Sequence, residues 1–429
     1  MYKLQSLATG TIFEDTGWSL DAPGETIPGL IRAIYKQKQL ILKGPEHGIY
    51  NFADWLPIHR TLEGSSAPVT YKSEGLSKEL GLTNLYITLN GWWPERNAYN
   101  RTCSFKETEA YTVCARLNKH TDKILVVASA GNTARAFAKV CSDNKIPLLL
   151  CVPEDCLAAL WFDKPLNDCV QLAATSTGSD YFDAIKLSNL AAQLEGFVTE
   201  GGAKNVARRD GMGTTMLSAA TFIGRIPDYY FQAVGSGTGA IAAWEANLRL
   251  IADGRFGSNK TKLMLSQNKP FHPMNDAWKA GSRALLPMDD DECRRRIEKI
   301  KAKVLSNRRP PYSLAGGLYD ALSDTNGEFF LASNEEAIAA ADLFETTEGN
   351  DIHPAAAVAT ASLIKAVNEN RVEKDAVIML NITGCGEERF KREHPLFMLK
   401  PSVIFGFNPS IEEVTEKIPT LFKKVSFIK

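Results

Sequence analysis

The sequence predicts an α/β protein whose strands lie parallel in sheets covered by helices on both faces. Three observations carry this. Short apolar runs recur along the chain: ILVVAS (124–129), IPLLLCVP (146–153), VQLAATS (170–176), YYFQAV (229–234), KLMLSQ (262–267) and AVIMLNITG (376–384). Stretches of helical character alternate with them. The chain, at 429 residues and 44% apolar, is long enough for two packed domains. A strand that is apolar on both faces belongs between two layers of helices, and parallel neighbours need a crossover of helical length.

In chain order, residues 1–60 are mixed, punctuated by aromatics and prolines, and carry no motif; from Glu63 the pattern sharpens. The run at 124–129 leads through AGNT into the helical stretch ARAFAKVCSDN. The run at 170–176 is followed by the helix-like YFDAIKLSNLAAQLEG. YYFQAV leads into GSGTG and the helix AIAAWEANLRLIADG, and HPAAAVATASLIKAVNEN (353–370) reads as a helix with a polar stop. DDDECRRRIEKIKAK (289–303) reads as a solvated helix. No repeat or low-complexity segment appears.

Composition excludes several classes. The 49 basic and 50 acidic residues nearly cancel, so there is no basic footprint of a nucleic-acid binder. No apolar run approaches the roughly 20 residues of a membrane span. The start, MYKLQSLATGTIFEDTG, lacks the layout of a signal peptide. The eight cysteines (103, 114, 141, 151, 156, 169, 293 and 385) form no CxxC, and the six histidines form no HxxxH. Free thiols in a reducing cytoplasm and no metal are expected.

Three loops follow apolar runs. GSGTG, Gly235–Gly239, stands between strand and helix, where exposed backbone N–H groups and the helix N-terminus favour an anion. A dinucleotide fingerprint needs its third glycine at the position of Ala240, and an acid where the next strand ends in Ser266 and Gln267. The loop therefore suits a compact phosphate monoester better than NAD; a simple packing turn is the other reading. ASAGNT (128–133) offers Ser129, Ala130, Gly131 and Asn132 to a carboxylate, or else Asn132 or Thr133 is a plain helix cap. NITGCGEE (381–388) ends an apolar strand with Thr383, where open α/β sheets bind ligands. The remaining piece is Lys106 in TCSFKETEA (102–110), by itself a surface charge or a buried amine. Together, a lysine, a phosphate cradle, an amide and a strand-end hydroxyl suit pyridoxal 5'-phosphate. The amine couples to the aldehyde, and a neutral hydroxyl leaves the ring nitrogen largely unprotonated, which favours elimination.

The order SFK, SAGN, glycine loop and TG resembles the fold-type II pyridoxal-phosphate enzymes, which are tryptophan synthase β-like, over roughly residues 62–390. EGSSAPVTYKSEGLSKELGLTNLYI (63–87), NVARRDGMGTT (205–215) and EGNDIHPAAAVA (348–359) resemble their threonine synthase branch. The resemblance implies two open, twisted, mostly parallel sheets with the cofactor in the cleft between them. The expected division is an N-terminal extension over 1–62 packed on the large domain, a large domain over 63–100 and 206–429 that binds the cofactor phosphate, and a smaller, mobile inserted domain over 101–205. It further implies that Lys106 carries the cofactor and is the catalytic base. Asn132 meets the phenolic oxygen. Gly235, Ser236, Gly237, Thr238 and Gly239 hold the phosphate, and Thr383 faces the ring nitrogen.

SFKETEA and NAYNRTC depart from the usual threonine synthase pattern, and Arg135 follows SAGN by one turn. These departures, with the aromatic and basic NGWWPERNAYNR (90–101) and the N-terminal LQSLATGTIFEDTGW, resemble the members that replace the phosphate of O-phosphoserine with sulfite. The product is L-cysteate, on the route to coenzyme M. The alternatives are the threonine synthase reaction on O-phosphohomoserine and a pyridoxal-phosphate-binding pseudoenzyme. The resemblance implies small anionic partners, an amino-acid substrate and sulfite, and a homo-oligomer. Arg208, Arg209 and Lys204 match the region that binds substrate phosphate. Arg135 and Arg101 are candidate anion contacts, each also readable as a surface ion pair. The Trp92–Trp93 segment is either core or the cover that keeps water out. His353 approaches the cofactor or is an ordinary helix-start residue, and Cys103 and Cys385 are packing residues.

Overall fold

The computed structural model describes residues 1–118 and 122–423. The chain opens with strands β1 (Tyr2–Ser6), β2 (Ile12–Phe13) and β3 (Ile31–Tyr35), then 3-10 turns over Pro45–Trp55. Next come β4 (Val69–Lys72), α1 (Gly75–Leu80), β5 (Asn84–Trp93) and β6 (Ala98–Tyr99). α2 (Lys106–Arg116), β7 (Ile124–Ala128), α3 (Asn132–Asp143), β8 (Leu148–Pro153), β9 (Trp161–Phe162), β10 (Val170–Thr175), α4 (Tyr181–Ala191) and β11 (Phe197–Thr199) follow. The second half runs α5 (Val206–Ile223), β12 (Tyr229–Ala233), α6 (Thr238–Asp253), β13 (Lys262–Asn268), α7 (Pro273–Lys279), α8 (Asp290–Lys299) and α9 (Leu318–Asp324). It ends with β14 (Glu328–Ala332), α10 (Asn334–Glu348), α11 (Pro354–Asn368), β15 (Val377–Cys385), α12 (Glu387–Glu393), β16 (Phe397–Met398), β17 (Val403–Phe405) and α13 (Ile411–Lys417).

Each apolar run named above is a strand of one of two sheets. The larger has the order β14-β13-β12-β15-β5-β4, with β6 on β5; its core strands are parallel and β4 is an antiparallel edge. The smaller, β11-β7-β8-β10-β17, is parallel throughout. Alanines of α11 (Ala356, Ala357 and Ala359) pack on Leu85, Ile87, Ile378 and Leu380 of the larger sheet. Their small side chains let the helix lie close to the strands. α4 begins with a reciprocal cap, Asp180 and Asp183 each accepting a backbone N–H of the other.

The motif-free start forms an antiparallel sheet, β2-β1-β3, and shares a core with α5 and α6: Leu30, Ile31 and Tyr35 join Met216, Leu217 and Trp244. One boundary departs from the sequence reading. The division at 206 assigned everything after it to the larger unit, but the chain returns to the smaller sheet. There β17 pairs with β10, and Phe405, Val414, Ile418 and Phe422 pack with Leu149, Ala173 and Leu187. Parallel pairing needs no sequence proximity, so nothing local announces this return.

Candidate active site

The three loops leave the carboxyl ends of β7, β12 and β15, where parallel sheets present ligand sites. The end of β15 is clamped on two sides. Ser104 bridges Gly384, and the Phe105 N–H donates to the Thr383 carbonyl at 2.9 Å. The His353 N–H donates to the Gly384 carbonyl at 3.0 Å. The β15–β5 register shifts between Ile382 and Cys385, a bulge that re-aims Thr383. Lys106 thus starts α2 directly beside the hydroxyl expected to be its neighbour.

One cavity is lined by Lys106 and by Gly235, Ser236, Gly237 and Gly239; Asn132, Gln232, His353 and Thr383 complete its polar lining. Thr238 belongs to the same loop, with its hydroxyl 2.8 Å from that of Ser236. The first amides of the long helix α6 have no partner within the helix and face an incoming anion. Gly235 must be glycine: a Cβ there would lie 2.8 Å from the Val304 carbonyl oxygen. The donors, the hydroxyl and the amine fit pyridoxal 5'-phosphate. Burial pushes the Lys106 amine down from the usual lysine range, and Glu109, 3.0 Å from Nζ, offsets part of this.

Arg135 is 2% exposed. It donates to the carbonyls of Thr102 and Ala159 (3.0 Å each), to Asn132 Oδ1 (3.1 Å) and to Glu387 (3.0 Å), and lies 4.0 Å over the Trp161 ring. It is therefore not an open anion contact. A guanidinium has donors only, so it takes the oxygen of the Asn132 amide and leaves the NH2 end for the cavity. Ser129 is spent locally, accepting from the Gly131 N–H at 3.1 Å, while Ala130 and Gly131 line an antechamber that shares Asn132, Val304 and His353 with the cofactor cavity. Arg135→Ala is expected to destabilise the fold by about 2–4 kcal/mol in a denaturant titration, because two carbonyls and Glu387 lose a buried partner. Affinity for small anions should stay unchanged. Weakened anion binding with unchanged stability would return Arg135 to the role of anion contact.

The other basic residues separate. Arg208 faces Lys106, because Gly211 one turn on brings α5 against α2; a Cβ at Gly211 would meet the Thr108 carbonyl at 2.5 Å. Its charge is matched by Glu109 (3.2 Å) and Glu200 (2.5 Å). Arg209 points elsewhere, to Glu245 at 2.9 Å and to the carbonyls of Ile31 and Ala203. Lys204 pairs with Asp21 at 2.7 Å on the surface, and Arg101 pairs with Asp163. All four are corrections: Arg208 is spent on two buried carboxylates, and none of the four lines the cofactor cavity or its antechamber.

Trp93 is core, packed with Tyr71, and Trp92 leans on Phe390 and His394 with its indole N–H on Glu393. Neither lines the cavity; Val304 and Leu305 wall it instead. His353 does reach the cavity, with Nε2 2.7 Å from Glu387. Burial works against ionising Glu387, but His353, Arg135 and Lys391 outweigh it and hold the carboxyl far below its usual range. Burial pushes the Cys103 and Cys385 thiols up, as suits packing residues. Among the described residues no cluster suits a metal ion, and no helix is long and apolar enough to cross a membrane.

Three parts of the site went unread in the sequence. Glu109 had a signal, its i+3 spacing from Lys106 inside the divergent SFKETEA. Glu387 had its place in NITGCGEE, four residues after Thr383, and lines the antechamber; the Val304–Leu305 wall had no signal, since only the fold brings it to the cavity.

The fold and this cavity define a class, and the sequence agrees: residues 67–384 match the family described as "Pyridoxal-phosphate dependent enzyme", so the chain belongs to that family and pyridoxal phosphate is its cofactor. Maize serine racemase (TM-score 0.55, 14% identity, 74% of this chain and 87% of that one) shares the fold. So does processed threonine deaminase isoform 2 of Solanum lycopersicum (0.54, 17%, 79% and 91%). This is the fold-type II architecture expected above. Among characterised relatives, cysteate synthase of Methanosarcina acetivorans is 50% identical over 388 residues, 90% of this chain and 93% of that protein. Cysteate synthase of Methanosarcina barkeri is 47% identical over 411 residues (96% and 98%), and that of Methanocella paludicola 49% over 401 (92% and 93%). Within the pyridoxal-phosphate enzymes, the chain belongs to the cysteate synthase family.

Proposed function

We propose that this enzyme replaces the phosphate of O-phospho-L-serine with sulfite, releasing L-cysteate and phosphate. The observation that carries the reading is the joining of Lys106, the 235–239 cradle, Asn132 and Thr383 in one cavity, in a chain of the cysteate synthase family. The relatives favour this over the threonine synthase reaction. When bound, pyridoxal phosphate supplies the electron sink that acidifies the substrate Cα–H and lets the β-substituent leave.

The chain's own residues do the rest. Gly235 to Gly239 hold the cofactor phosphate, the Asn132 amide donates into the cavity, and Thr383 offers the ring nitrogen a neutral hydroxyl. The turn from Ser129 to Asn132, at the N-terminus of α3, takes the substrate carboxylate. Lys106 Nζ, once free, removes the α-proton and later returns it. Val304 and Leu305 exclude water between loss of phosphate and arrival of sulfite. The antechamber, with Lys301 and Lys303 on its wall, admits the anions. In this reading the enzyme serves coenzyme M synthesis in the cytoplasm and works as a homo-oligomer.

Visible absorption tests the proposal. A band that shifts with O-phosphoserine and returns with sulfite supports both halves of the reaction. A band that ignores phosphoserine and responds to O-phosphohomoserine would make the chain a threonine synthase. Absence of a band after pyridoxal phosphate is supplied sinks the assignment of Lys106. Gly235→Val should lower affinity for pyridoxal phosphate by about tenfold or more, since the added atoms push the Val304 wall. A titration showing unchanged affinity would remove the loop from the phosphate site.

A further inference from the structure

We propose that Glu109 is a positioning residue that receives the released Lys106 amine as an ammonium and holds it beside the substrate Cα until the proton is returned. The inference rests on the reading of Lys106 as cofactor lysine and base. Four charges alternate through the cleft wall. Lys106 Nζ lies 3.0 Å from Glu109 Oε2, and the same oxygen lies 3.2 Å from Arg208 Nε. On the far side Arg208 meets Glu200 at 2.5 Å. Lys106 and Glu109 stand one turn apart on α2 and so share a face. The Glu109 side chain is 0% exposed, and its second oxygen, Oε1, has no hydrogen-bond donor.

Glu107 Oε1 and Glu200 Oε2 also lack donors, but of the three only Glu109 also lies within reach of the Lys106 amine. The catalytic cycle supplies Glu109 with that donor. Freed from the cofactor, the Lys106 amine removes the substrate's α-proton. The Cα–H bond would break, its electron pair stabilised by the electron sink the bound cofactor would supply, and a new N–H bond would form on Lys106 Nζ. This makes a cation on a mostly buried side chain, which is unfavourable without a nearby anion. Glu109 supplies that anion and takes no proton itself. Its spare oxygen lets the ammonium swing toward Cα while keeping an acceptor. Arg208 holds Oε2 in place, and Glu200 balances Arg208. The remaining groups facing the pair are the Phe105 ring, 4.9 Å from Nζ, and the Tyr181 hydroxyl on α4, which feels Arg208, Glu200 and Glu109.

The test reads Lys106 directly in the full-length chain. With cofactor removed, acetylation of Lys106 by acetic anhydride is followed against pH by mass spectrometry. In Glu109→Gln the midpoint should fall by about one pH unit or more, because the ammonium loses its adjacent anion. In Glu200→Gln, which touches Arg208 but not Lys106, it should move less than half as far. An unmoved midpoint in Glu109→Gln, or an equal shift in Glu200→Gln, overturns the proposal. Should Glu109→Gln give no folded protein, Glu109→Asp takes its place; its midpoint must fall in the same direction by less, and an unmoved midpoint overturns the proposal again. Borohydride reduction of the loaded wild-type enzyme separates the two levels. Cofactor fixed on Lys106 with no Glu109 effect defeats this inference alone. Cofactor fixed elsewhere, or not at all, defeats the reading beneath it as well.

Discussion

Lys106→Ala is expected to lose turnover by on the order of 10³-fold or more, since it removes both the anchor of the cofactor and the base that moves the α-proton. The same variant should bind pyridoxal phosphate only non-covalently, so borohydride reduction should leave no cofactor on the 102–116 peptide. Folding should survive. Glu109 keeps Arg208, and the lysine side chain is 18% exposed in the wild type, so no large packing contact is lost. A melting temperature close to wild type, together with absent turnover, is the expected pair of results. Undiminished turnover would return Lys106 to the ordinary helix charge that its local sequence also allows.

The largest effect on stability is expected from Arg209→Met. Arg209 and Glu245 are 0% and 1% exposed and lie 2.9 Å apart, with Arg32 as a second partner of Glu245 at 3.2 Å. Removing one member of a buried pair leaves the other charge uncompensated, a loss of about 3–5 kcal/mol. Here the carbonyls of Ile31 and Ala203 also lose donors. Urea denaturation should show that loss, while the folded fraction keeps its kinetic constants for O-phosphoserine and sulfite. Unchanged stability with a much weakened response to phosphoserine would mean that Arg209 reaches the substrate, as its neighbourhood in the sequence suggested.

The contrast between Arg208 and Arg209 shows where sequence reasoning stops. The two are adjacent in NVARRDGMGTT, and the resemblance assigned them together. On a helix, neighbours point about 100° apart. Arg208 faces α2 and Lys106; Arg209 faces the N-terminal sheet and α6. α5 is buried around nearly its whole circumference, so it has no polar stripe to tell which side is which. The same limit applied to the Trp92–Trp93 segment. An aromatic pair near a site is equally a cover or a core; the pairing of β5 with β6 puts Trp93 in the core and leaves Trp92 half-buried against α12, neither of them on the cavity.

What was legible was local. Continuous apolar runs bounded by glycine can only be strands covered on both faces, so the parallel strands and the helix-opening loops could be read directly. Asn132, the 235–239 loop and Thr383 could be singled out as strand ends or helix starts, and Lys106 by its short motif; their roles came from the resemblance, and the fold brings them to one cavity. The tertiary structure alone decided what depends on distant segments meeting. The C-terminal strand β17 joins the smaller sheet, Val304 and Leu305 wall the cavity, Arg135 is spent on orienting Asn132, and Glu109 stands between Lys106 and Arg208. A side chain's direction and partners are set by packing between elements far apart in the chain, and local sequence carries no record of them.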